Sequence, residues 1–178
     1  LDANESPFDN GINRYPDNKH TELKKVVSDI KNVNINQVIF GNGTDEILDL
    51  IVRVFCKPSE DKIITLPPTY GMYDIIAKTN GVENIEIPLK SDFSIDKNEI
   101  LKLSSKKTKI LFLCSPNNPT GNSFDTNNLT DLIKSFKGIV VVDEAYINFS
   151  SKQSLISLIE DNNNLIITQT MSKAYGMA

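Results

Sequence analysis

The run Ile139-Val140-Val141-Val142 constrains this chain more than any other stretch. A β-branched run with no polar alternation has no face suited to water, so it reads as a strand buried on both sides. Strands of that kind belong to parallel sheets with helices above and below. Ile110–Leu113 repeats the pattern, Ile63–Leu66 and Leu165-Ile166-Ile167 are shorter versions, and Asn84–Pro88 is a weaker strand with alternating character. Val38-Ile39-Phe40 reads as one more strand, running into Gly41–Glu46.

Between these runs the apolar period lengthens. Leu23, Val26, Val27 and Ile30 lie on one helical face, as do Ile47, Ile51, Val54 and Phe55, in a helix that must end before Pro58. Met72, Tyr73, Ile75 and Ile76 predict a helix ending near Gly81. Lys97–Leu103, the segment of Leu129, Leu132, Ile133 and Phe136, and Leu155–Ile159 predict three more. Strand and helix alternate, which predicts an α/β fold: a three-layer αβα domain with a mostly parallel sheet. Residues 1–19, rich in Asn, Asp, Gly and Pro, read as an N-terminal arm of turns, and residues 20–178 as the domain itself.

Composition narrows the function classes. A net charge of −4 with interspersed signs offers no basic face for nucleic acid or anionic lipid. The longest apolar run is far too short to span a membrane, and LDANESPF lacks the basic and apolar regions of a signal peptide. The two cysteines, Cys56 and Cys114, sit at the ends of apolar segments and read as reduced core residues, which predicts a cytoplasmic protein. One histidine, His20, excludes a multi-histidine metal site and leaves a Ser-His-Asp triad little room. With no initiator Met, and an end at Ala178 where a helix should start, the expectation is a piece of a longer protein.

Polar groups with chemical potential follow the strand ends: Gly43-Thr44-Asp45, Asn118, Asp143 with Tyr146, and Ser172-Lys173. In an open parallel sheet ligands bind outside the carboxyl ends of the strands, so these groups are expected to face one crevice. Taken singly, each has a plainer reading. Gly41–Glu46 fits an N-capped helix start, Ser115–Gly121 a double turn, Asp143 a helix cap, and Lys173 a solvated loop lysine. Together they describe a site. Amides after Gly43, at a helix start, suit a phosphate monoester. The loop is not a dinucleotide motif, because Glu46 replaces the third glycine, and it lacks the Gly-Lys-Ser/Thr of a Walker loop. Asp143 emerges from an apolar run, where a carboxylate needs a cationic partner such as a protonated pyridine nitrogen. Lys173 has small or apolar sequence neighbours and is expected to be desolvated, which favours the neutral amine that a Schiff base requires. The set describes a pyridoxal 5'-phosphate site.

LDANESP, NRYP, GNGTDE, PPTYGMY, FLCSPNNPTGN, VVVDEAY and TMSKAYGMA, in this order from residue 1 to 178, resemble the signature blocks of the histidinol-phosphate aminotransferases. These belong to the fold-type I, aspartate-aminotransferase-like pyridoxal phosphate enzymes. The resemblance implies the large domain of that fold, with a small domain built from both chain ends and largely absent, working as a homodimer. It implies that Lys173 forms the Schiff base, that Asp143 pairs with the pyridinium, and that Tyr146 and Asn118 bind the ring hydroxyl. Tyr70 would stack on the ring; Gly43, Thr44, Asp45 and Ser172 would hold the phosphate. Tyr15 would reach the neighbouring subunit's phosphate region, and Asn118–Pro119 would be cis. The implied reaction converts L-histidinol phosphate and 2-oxoglutarate to imidazole acetol phosphate and L-glutamate. The family's next segment, Gly-Leu-Arg, and the small domain's carboxylate-binding arginine fall outside the chain, so the piece is expected to be inactive alone. A phosphothreonine decarboxylase, an aromatic-amino-acid aminotransferase and a non-catalytic fragment of the same fold stay open as alternatives.

Overall fold

The computed structural model describes residues 3–177, so Leu1 and Asp2 of the LDANESP block and the terminal Ala178 lie outside the described residues. The chain divides into two compact units, residues 1–40 and residues 41–178. In the first, α1 (Thr21–Lys31) buries none of its side chains. Asp17 rather than the αL residue His20 caps it: the Asp17 carboxylate accepts from the Thr21 amide at 2.8 Å and the Lys19 amide at 2.9 Å. Glu5 binds the Arg14 guanidinium at 2.7 Å and the Tyr15 amide at 2.6 Å, which ties the arm to itself. Val38-Ile39-Phe40, expected as a strand, is not one. Ile39 is 69 % exposed, and the Val38 amide closes the preceding 3₁₀ turn by donating to the Ile35 carbonyl at 3.3 Å rather than entering a ladder.

The second unit is built on α2 (Gly43–Phe55), β1 (Lys62–Thr65), α3 (Met72–Thr79), β2 (Glu83–Glu86), α4 (Lys97–Leu103), β3 (Thr108–Cys114), α5 (Thr126–Ser135), β4 (Ile139–Asp143) and β5 (Leu165–Thr168), in that order. Leu155–Leu158, predicted helical, is a 3₁₀ helix. The strands form one all-parallel, five-stranded sheet in the order β2-β1-β3-β4-β5. The alternation of side chains along each strand divides the core in two. Leu111, Leu113, Val140 and Val142 face α4 and α5, meeting Ile100, Leu129, Leu132 and Ile133. Ile110, Phe112, Cys114 and Val141 face the other way, toward Leu48, Ile51 and Val52 of α2 and Tyr73, Ile76 and Ala77 of α3. Both faces are therefore covered, as the uninterrupted apolar strands require. The buried face of α2 is Leu48, Ile51 and Val52, not the Val54 side: Val54 is 72 % exposed.

Two details of the sheet place polar groups together. β1 is flanked by β2 on one side and β3 on the other, so the chain reverses direction across the sheet there, where open α/β folds form their crevice. The register pairs Cys114 with Asp143 and Asp143 with Thr168, so these residues sit in one row at the carboxyl ends of β3, β4 and β5.

Candidate active site

A cavity of about 210 Å³ opens at those strand ends. Tyr70 reaches it from the turn after β1, Cys114 and Asn118 from the end of β3, Asp143, Ala145 and Tyr146 from β4, and Thr170, Ser172 and Lys173 from the segment after β5. Asn42, Gly43, Thr44 and Asp45 at the start of α2 complete the lining. The expected crevice thus gathers Gly43, Thr44, Asp45, Tyr70, Asn118, Asp143, Tyr146, Ser172 and Lys173 around one space. Gly43–Asp45 reaches it from a helix N-terminus rather than a strand end. Tyr15, the remaining expected site residue, lies in the first unit and is 74 % exposed.

α2 opens at Gly43 with a φ of +79°, a conformation that glycine adopts without penalty. Asn42 makes no side-chain cap bond to the first-turn amides, and the helix dipole adds its positive end there. Glu46 explains its own presence by folding back: its carboxylate accepts from the Asn42 amide and from Asn42 Nδ2. Asp45 is held aside, since Tyr70 Oη donates to its Oδ1 at 3.1 Å and its Oδ2 at 3.3 Å. Burial, followed by the Asp45 charge, pushes the Tyr70 phenol up to about 12, so it stays a donor.

Side-chain alternation sends Asp143 to the α2/α3 face and Glu144 to the opposite one. Asp143 is 2 % exposed. Its Oδ2 accepts from Tyr73 Oη at 2.8 Å, and its Oδ1 from Thr168 Oγ1 and the Ala145 amide, both at 3.1 Å. All are neutral donors. Burial raises its pKa, against the pull of those hydrogen bonds, of which Tyr73's is the largest. Glu144 has a structural role: it accepts from Ser154 Oγ at 2.5 Å and from the Leu155 amide and Gln169 Nε2 at 2.8 Å, pinning the following loop to the end of β5.

Lys173 lines the cavity but is exposed, which corrects the expectation of a desolvated amine. The apolar neighbours that suggested it, Met171, Tyr175 and Met177, are themselves 40 %, 50 % and 64 % exposed. Asn118–Pro119 is cis, as the resemblance implied, and so are Pro67–Pro68 and Ser115–Pro116. Asn117, which no sequence signal marks, joins two walls. Its Oδ1 accepts from Thr69 Oγ1 at 3.0 Å and its Nδ2 donates to the Pro68 carbonyl at 2.9 Å, locking the Tyr70 turn to the Asn118 loop.

Residues 4–178 match the family described as aminotransferase class I and II. The chain belongs to that family. Among the relatives of this aminotransferase chain is the histidinol-phosphate aminotransferase of Flavobacterium psychrophilum, 56 % identical over all of this chain and 51 % of its own length. That of Christiangramia forsetii is 53 % identical with the same coverage. The chain spans about half the length of the curated relatives it matches. Among solved structures, the histidinol-phosphate aminotransferase from Clostridium acetobutylicum superposes with a TM-score of 0.78 at 26 % identity, over 90 % of this chain and 48 % of that one. The Sinorhizobium meliloti enzyme in complex with pyridoxal-5'-phosphate gives a TM-score of 0.82 at 22 % identity, over 92 % of this chain and 46 % of that one, a likeness of fold. The α/β expectation and the parallel sheet hold: this is the fold-type I aminotransferase architecture, over about half of those chains.

Proposed function

We propose that this chain carries the cofactor-binding part of a pyridoxal-phosphate-dependent aminotransferase acting on L-histidinol phosphate and 2-oxoglutarate. The observation that carries the reading is Asp143. A carboxylate this buried, contacted by neutral donors and opening on a cavity shared with a lysine and a helix N-terminus, fits a cationic ring nitrogen. The names of relatives at 53–56 % identity support histidinol phosphate as the amino donor, and none of them favours the decarboxylase or aromatic-amino-acid alternatives.

Pyridoxal phosphate, when bound, supplies a carbonyl and an electron sink for charge developing at a substrate carbon. The residues present divide the remaining work. The first-turn amides of α2 with the hydroxyls of Thr44 and Ser172 bind the phosphate group. Asp45 offers its amide there, while Tyr70 keeps its carboxylate, of the wrong sign, aside. Asp143 would accept from the ring nitrogen and keep it protonated. Asn118 and Tyr146 would bind the ring hydroxyl, and Tyr70 would cover a ring face. Lys173 Nζ would anchor the cofactor and then take the proton from the substrate's Cα and return it. A homodimer in the cytoplasm completes the reading, with Tyr15 reaching the partner's phosphate region. The free, buried state of Cys56 and Cys114 supports a reducing compartment, and no helix among the described residues is long and apolar enough to cross a membrane.

The test is covalent trapping. Borohydride treatment after incubation with pyridoxal phosphate should fix the cofactor's mass on the peptide containing Ser172-Lys173-Ala174. Finding it on another lysine, such as Lys109, would sink the assignment.

A further inference from the structure

We propose that Tyr73, seconded by Thr168, is the positioning residue that keeps Asp143 ionised and aimed into the cavity. This role rests on Asp143 being the partner of the ring nitrogen, and it adds residues that line no part of the cavity. Tyr73 is fully buried in the middle of a packed stack. Its ring lies parallel to Phe112, with centroids 4.8 Å apart and planes at 4°, and meets Tyr70 edge-on at 5.6 Å and 84°. A ring fixed on both sides cannot swing, so its hydroxyl is a stationary donor to Asp143 Oδ2 at 2.8 Å. Thr168, paired in register with Asp143 on the adjacent strand, holds the other oxygen from β5.

The surroundings make these donors matter. Asp143 meets Tyr73 from α3, Cys114 from β3, Thr168 from β5 and the Asp45 charge from α2. Tyr70, Tyr146 and Lys173 line the same cavity. Burial and the Asp45 charge both favour the neutral acid. The Tyr73 phenol is itself pushed well up by burial, and the Cys114 thiol to about 11, so neither ionises near neutrality. Opposing protonation of Asp143 therefore falls to the hydrogen bonds, with Tyr73's first.

The variants are Tyr73→Phe, which retains the ring and its stacking, and Thr168→Val, which retains the volume. Either one tests the inference if the other fails to fold. Each should raise the Asp143 pKa, by about 1–2 pH units for Tyr73→Phe and less for Thr168→Val. A buried carboxylate with a raised pKa contributes a stability deficit that is absent below its unfolded pKa and grows as pH rises through the folded value. The Tm deficit of Tyr73→Phe against wild type should thus widen by at least about 2–4 °C from about pH 4 to about pH 9. With Asp143→Asn as the background, the widening should vanish. A deficit equal at every pH, or a widening that survives in that background, overturns the inference. In parallel, Tyr73→Phe should bind pyridoxal phosphate about tenfold more weakly than wild type, and equal affinity also overturns it. Failure of the wild type to bind pyridoxal phosphate would overturn instead the reading beneath, and the Tm comparison still reports on the Tyr73–Asp143 bond.

Discussion

At the scale of single residues, the site separates groups that act from groups that hold them. We propose Asp143 as the clearest of the former, because a carboxylate this buried with neutral donors alone around it suits a cationic guest. Asp143→Ala in the active enzyme should leave Lys173 able to take up the cofactor but lower turnover by roughly a thousandfold, the scale of losing one buried electrostatic partner. Stopped-flow turnover within tenfold of wild type would mean another group holds the ring nitrogen. The residues that line the cavity were legible as a group because they follow apolar runs whose ends break the pattern. The holding residues were not. Tyr73 reads as one more apolar position of α3, and its hydroxyl finds a partner 70 positions away. Asn117 is hidden in a run of turn formers, and its clamp on Thr69 spans 48 positions. Lys173 shows the opposite error: small and apolar sequence neighbours suggested enclosure, yet those neighbours face solvent.

At the scale of elements, apolar runs predicted strands wherever a neighbouring strand existed. Val140 and Val141 are bracketed by β3 and β5, so the run behaves as its composition demands. Val38-Ile39-Phe40 is also an apolar run, but its first amide is taken by the 3₁₀ turn before it, and composition alone does not carry that difference. The start of α1 is also set by something periodicity does not show, the reach of Asp17 across to Thr21. Bonds to Thr21 and Lys19 draw the Asp17 carboxyl from its ordinary range down to about 2. A depressed acid contributes stability that is fully present above its unfolded pKa and is lost as pH falls through the folded one. The Thr21 amide should therefore stay protected from exchange at about pH 4 and lose protection toward about pH 2. Asp17→Ala should abolish that step and fray the first turn of α1 at every pH, as read by amide exchange and helical ellipticity. A step unchanged in the variant would assign the cap elsewhere.

At the scale of the whole molecule, both units carry apolar surface. Leu50 and Val54 on α2 and Ile75 on α3 are 40 %, 72 % and 52 % exposed, and Leu23, Val26 and Ile30 on α1 are 43 %, 54 % and 70 % exposed. Side chains at such spacing normally face a partner. The relatives have about as much chain again as this one covers. Residues 1–178 produced alone should therefore behave differently from a full-length relative in two ways. The apolar stripes should drive self-association, visible as a concentration-dependent mass in light scattering, and Val54→Lys with Ile75→Lys should reduce it. Transamination should be negligible even with pyridoxal phosphate in excess. On the proposed reading the cavity holds groups for the cofactor and for the proton at Cα, but contacts with the far end of a substrate are what bring that carbon to the base. We expect those contacts from the length this chain does not cover. Glutamate release from histidinol phosphate and 2-oxoglutarate, followed with residues 1–178, decides the matter. Turnover approaching that of a full-length relative would show that this cavity positions the substrate by itself.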